Sequence, residues 1–145
     1  MKRSLLLRIA AGLVLLTCVS HTIGTFMPIP AEQTQMLSTI AVMKATLIPM
    51  PIGSPRNYME ILDGNNICTS VLLALCATLL FSMAGSPKGS ETDRVILITS
   101  LALGIVAMVS IRYFFPVPAA FTGLAALLAL VARSRDFDGG RRPHA

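Results

Sequence analysis

Four apolar blocks constrain this chain more than any other feature. Leu5 to Gly24 is interrupted only by Arg8, while Ile67 to Ala84, Val95 to Ile111 and Val117 to Ala132 hold no charge at all. A hydrocarbon core about 30 Å thick needs roughly 17 to 25 helical residues, and without water every backbone polar group must bond within its own segment. The blocks therefore predict an all-α membrane protein: a bundle of four transmembrane helices spanning 5–24, 67–84, 95–111 and 117–132, in one membrane domain over residues 1–132. Composition agrees, because 54% hydrophobic against 13% charged residues leaves too little polar surface for an ordinary soluble domain. The fourth block is short enough to suit a buried soluble helix as well. Phe114 and Phe115 at one end, and the stems of Arg133 and Arg135 at the other, lengthen it by interfacial placement and snorkelling, which favours a span.

The net charge of +5 accompanies no aromatic-interleaved basic face and no nucleic-acid motif, so a nucleic-acid partner is not expected. Its distribution points to orientation in a bilayer instead. With the N-terminus cytoplasmic, nine of the twelve basic residues (Lys2, Arg3, Arg8, Lys88, Arg94, Arg133, Arg135, Arg141 and Arg142) lie inside. Lys44, Arg56 and Arg112 remain outside. Export of basic loops is disfavoured, so both termini are expected in the cytoplasm, with 133–145 a flexible basic tail. "RYFFPVP", residues 112–118, is then an outer hairpin: Tyr113 and the two phenylalanines at headgroup level, with Pro116 and Pro118 keeping one helix from running into the next.

The N-terminal stretch "MKRSLLLRIAAGLVLLTCVSHT" also has the shape of a secretory signal, and its cleavage would leave three spans. Thr17 makes "LLTC" a poor lipoprotein box, and an uncleaved first helix is the preferred reading. Cys18, Cys68 and Cys76 all fall in apolar helices without a Cys-x-x-Cys pair, which argues for buried small hydrophobes rather than thiol chemistry. No ligand cluster accompanies His21 or His144, so neither a metal nor another cofactor is expected.

The segment between the first two spans, about 26–66, is far longer than the other connections, and long loops commonly carry function. Within it Met36, Ile40, Met43 and Leu47 recur at steps of four, three and four, predicting an amphipathic helix over about 31–48 ended by Pro49 and Pro51. Ser54 followed by Pro55 reads as the start of the next helix, running to Ala84 unless Gly64 to Asn66 breaks it. On its first turns Arg56, Glu60 and Asp63 would share one face. His21 stands at the outer end of the first span, one turn beyond Thr17. A hypothetical outer polar cluster of His21, Arg56, Tyr58, Glu60, Asp63, Arg112 and Tyr113 follows from their similar depth, because ionisable groups at a membrane are costly and mark candidate sites. A salt-bridged surface explains the same residues without a site.

Small residues at every fourth position, Ser70, Ala74, Thr78 and Ser82 in the second span, with Ser100 and Gly104 in the third and Ala119 and Gly123 in the fourth, predict close helix packing. That packing can occur within one chain or in a homo-oligomer. No inverted repeat or glycine-broken pair of half-spans marks a transport path.

Through "IGSPRNYMEILDGNN" and "RYFFPVPAAF" the chain resembles a family of small uncharacterised bacterial four-span inner-membrane proteins. Its members carry a Gly-Ser-x-Arg-Ser/Asn-Tyr run followed by an acidic residue, then an Arg-Tyr-Phe-Phe run near the third helix end. Gly53, Ser54, Arg56, Asn57, Tyr58 and Glu60 match the first run; Arg112, Tyr113, Phe114 and Phe115 match the second. His21 and Gly24 fit the same layout, whereas "MEILDGNN" replaces the aromatic segment common after the tyrosine. The resemblance implies a multi-pass protein of the bacterial cytoplasmic membrane with its characteristic residues on the outer side, and no activity. No catalytic set is recognisable, so the expected role is a non-enzymatic membrane component that binds a lipid, a small ligand or a membrane partner protein. The alternatives are an enzyme acting on a lipid-like substrate, with His21 or Glu60 moving a proton and Arg56 and Arg112 holding an anion, and a small oligomeric transporter subunit.

Overall fold

The computed structural model describes residues 2–113 and 116–134. It is helical apart from one short ribbon. The elements run α1 (Arg3–Phe26), α2 (Thr34–Ala45), β1 (Leu47–Ile48), β2 (Arg56–Asn57), α3 (Tyr58–Gly85), α4 (Ser90–Tyr113) and α5 (Pro116–Ser134). The expectations for Phe114, Phe115 and residues 135–145 fall outside the described residues.

All four apolar blocks lie inside helices long and apolar enough to cross a membrane: α1, α3, α4 and α5. At 1.5 Å per residue the 28 residues of α3 reach about 42 Å, longer than a hydrocarbon core, whereas the 19 residues of α5 reach about 28 Å and just match it. Pro116 and Pro118 occupy the first turn of α5, where backbone N–H groups have no helical acceptor in any case, so neither proline costs the helix a bond. In α4, Glu91 and Asp93 lie in the first turn and Arg112 in the last, each favourable to the helix dipole.

Contacts divide the chain into two compact units, one comprising the residues up to Cys18 with those from Leu72 onward, the other Val19–Val71. The first has a core drawn from four helices, in which Leu7 and Val14 of α1, Leu80 of α3, and Ile96 and Leu103 of α4 are fully enclosed. Helix α5 contributes almost only small side chains: Ala119, Thr122, Ala125, Ala126, Ala129 and Ala132 are buried at steps of three, three, one, three and three. Against it α4 buries Ser100, Leu103, Ala107 and Ser110, and a Cβ added at Gly123 would lie 3.6 Å from that of Ala107. In lipid, where helices gain no apolar-burial force against one another, close approach of small residues of this kind supplies packing energy. The buried hydroxyls cost little, since Ser100 donates to the Ile96 carbonyl at 2.7 Å, Thr122 to Pro118 at 2.7 Å and Thr17 to Leu13 at 2.9 Å. At one end of this unit Arg3 and Asp93, both partly buried, tie α1 to the first turn of α4 with an N···O separation of 3.6 Å. Of the three cysteines expected to be buried, Cys18 packs within the core as a small apolar residue and Cys76 is partly buried against it, whereas Cys68 is exposed.

The second unit departs from the sequence expectation in two places. The helix expected over 31–48 is confined to Thr34–Ala45, and Leu47, the last member of its stripe, pairs in β1 with Asn57 of β2 while Ile48 pairs with Arg56. No residue of α2 is buried, and Leu37 and Val42, outside the stripe, are 40% and 65% exposed, so its apolar residues are not gathered on one covered face. The second departure is the start of α3, at Tyr58 rather than at Pro55. Asn57 is its cap: the Asn57 Oδ1 accepts the backbone N–H of Glu60 at 2.8 Å, and Glu60 Oε2 accepts that of Asn57 at 3.1 Å. This reciprocal capping box satisfies two donors at once, and it prevails over the Ser54-Pro55 signal because β1 holds Arg56 and Asn57 extended. Between the strands Pro49, Pro51, Pro55 and Gly53, the last at φ +94°, make the turn. Helix α3 then continues unbroken through Gly64.

Candidate functional site

Within the second unit the end of α1, the approach to α2 and the first turns of α3 surround an open groove of about 890 Å³. Helix α2 presents Met36, Thr39, Ile40 and Met43 to it, positions one to two turns apart on a single face. Helix α3 presents Met59, Leu62, Asp63 and Asn66 with the same periodicity. Gly24, Thr25, Met27 and Ile29 close a third side, where the chain leaves α1, and Glu32 to Gln35 form the rim before α2. Four of the chain's eight methionines, Met27, Met36, Met43 and Met59, therefore line one cavity. Thioether side chains are unbranched, polarisable and adaptable, which suits a surface that moulds to an apolar guest.

The groove's walls are held by polar contacts between α1 and α3. His21, half-buried, donates from Nε2 to the Asn66 carbonyl at 3.3 Å, since a carbonyl oxygen can only accept. One residue on, the Thr22 hydroxyl donates to the Ser70 hydroxyl at 2.9 Å. Thr25 returns its own hydroxyl to the His21 carbonyl at 2.9 Å. On the far side the Tyr58 N–H donates to the Thr46 carbonyl at 3.2 Å, so the end of α2 and the start of α3 are joined through the ribbon.

The seven residues singled out from sequence divide accordingly. Asp63 lines the groove, and His21 bonds to a residue that does. Arg56 belongs to β2 rather than to a helix, so Arg56, Glu60 and Asp63 do not form the shared helical face expected of them. Glu60 is engaged in the cap, and Tyr58, about half exposed, is the first residue of α3. Arg112 and Tyr113 end α4 in the first unit, both exposed, the guanidinium 5.4 Å from the ring centroid. Of the groove residues, Met36, Ile40 and Met43 were legible as a stripe. Met59, Asn66 and Glu32 were not singled out, although Met59, Asp63 and Asn66 repeat the same i, i+4, i+7 spacing.

A smaller groove of about 370 Å³ lies in the first unit, where Arg8 and Phe81 face Gly12, Ala74 and Thr78. The Arg8 guanidinium stands 6.0 Å from the Phe81 ring centroid, at the outer limit of a cation–π contact.

No family model matches this chain, nor does any curated protein or solved structure. The class is given by the helices themselves, four of which are long and apolar enough to cross a bilayer, as in a multi-pass membrane protein.

Proposed function

We propose that this protein is a non-enzymatic component of the bacterial cytoplasmic membrane, both termini cytoplasmic, that binds a small ligand in the groove between α2 and α3 on its extracytoplasmic side. The groove carries the reading: at about 890 Å³ it has room for a small molecule, and its open lining is shared between methionine, isoleucine and leucine side chains and about as many polar residues, Asp63 and Asn66 among them. The bacterial assignment rests on the resemblance at Gly53 to Glu60 and at Arg112 to Phe115, and the sidedness on the basic-residue asymmetry. Nothing favours proton transfer by His21 and Glu60, since one serves an interhelical bond and the other a helix cap.

Native mass spectrometry of the intact protein, released gently from its own membrane, tests the proposal. A reproducible small-molecule adduct is expected on the native chain and not on Thr39→Trp, which fills the groove from α2. A bare native chain, or an adduct retained in full by a folded Thr39→Trp protein, would overturn it.

A further inference from the structure

We infer that the groove selects an amphipathic organic cation. The inference rests on the ligand-binding reading above and adds the charge and shape of the ligand to it. The first observation is the charge of the lining, which includes two carboxylates, Glu32 and Asp63, and among the described residues no lysine or arginine. Groups of one sign in a cleft with low-dielectric walls raise the local concentration of the opposite charge. Glu32 is exposed and Asp63 half-buried, so Asp63 is the carboxylate set against an anionic guest, opposed by the N-terminus of α2 at Thr34, which has no side-chain cap.

The second observation is the relation of charge to apolar wall. Asp63 is half-buried, beside Leu62 and one turn from Met59 on the same side of α3, with Met36, Ile40 and Met43 also in the lining. A guest can thus lay an apolar body against the thioethers while its charge rests at a carboxylate. The volume, about 890 Å³, is far more than a single metal ion fills and suits a drug-sized molecule. Methionine sulfur also makes favourable contacts with aromatic rings, so cations bearing aryl groups fit better than straight-chain amines. Delocalised or shielded charge is favoured too, because a compact ammonium surrenders more hydration on entering an apolar cleft.

Tetraphenylphosphonium and tetraphenylborate have nearly the same shape and opposite charge, and triphenylphosphine oxide offers a neutral relative. Binding of each to the full-length protein in a nonionic detergent is measured by equilibrium dialysis, with protein-free micelles subtracted. The cation is expected to bind one per chain and the borate not measurably, and Asp63→Asn is expected to weaken cation binding about tenfold, the scale of a lost charge-assisted contact. Glu32→Gln and Thr39→Trp serve as second variants should Asp63→Asn not fold; loss of cation binding on filling the groove locates the site, and weaker binding in Glu32→Gln supports the charge argument. Equal binding of all three probes, unaffected by either carboxylate change but lost in Thr39→Trp, would overturn cation selectivity and leave the small-ligand reading standing. Absence of binding by every probe, together with a bare chain from the native membrane, would overturn both.

Discussion

Asn57 and Glu60 show how a residue pair can look functional in sequence and be structural in the fold. Each receives the other's backbone N–H, so together they set where α3 begins. Removing a cap of this kind costs about 1 kcal/mol. Asn57→Ala and Glu60→Ala are each expected to lower stability by about that much in reversible SDS or thermal unfolding. Glu60→Gln should be nearly neutral, because an amide oxygen accepts the same bond. That comparison separates the cap from proton transfer: a Glu60→Gln protein that kept its stability but lost a measured activity would show that the carboxyl does chemistry. The cap was present in the sequence as Asn-x-x-Glu, next to a competing Ser-Pro signal. Local chemistry could not rank the two, since the choice depends on Leu47 and Ile48 pairing with Asn57 and Arg56.

Among the elements, α4 and α5 show most directly what small residues do. Ala125, Ala129 and Ala132 of α5 are wholly inaccessible, and the nearest atom to a Cβ at position 123 would be that of Ala107 at 3.6 Å, an ordinary contact. Gly123→Ala is therefore expected to be tolerated, or to stabilise by up to about 1 kcal/mol through helix propensity. Gly123→Leu should destabilise by about 1 to 3 kcal/mol through overpacking. Unfolding of the two variants in parallel checks this; equal stability would mean that the helices are not in contact at this position. The small-residue spacing announced this packing at Ser100, Ala119 and Gly123, but it misplaced the packed face of α3, where Thr78 and Ser82 are exposed and Leu73, Ala77 and Leu80 are buried instead. For α2 the amphipathic helix expected from Met36, Ile40, Met43 and Leu47 is not borne out: no residue of α2 is buried, and strand pairing claims Leu47.

For the whole molecule, the decisive expectation is orientation. If the basic-residue asymmetry governs insertion, alkaline phosphatase joined after Gly53 should be active and the same reporter after Gly89 inactive, while a fluorescent protein joined after Gly89 should fluoresce. The reverse pattern would put the groove on the cytoplasmic side and undo the proposed location of its ligand. The sequence by itself determined four helices long and apolar enough to cross a membrane, and their approximate ends, because a bilayer would impose a length and a composition on each crossing segment independently of its neighbours. It also determined the charge asymmetry, a property of order along the chain. Only the tertiary structure decided that α2 faces the first turns of α3, that Asp63 and four methionines share one cavity, and that Glu60 is occupied in a cap. Those are facts about which surfaces meet across long stretches of chain, set by the ribbon and by the His21 to Asn66 and Thr22 to Ser70 contacts. No periodicity along one segment encodes the segment it will face.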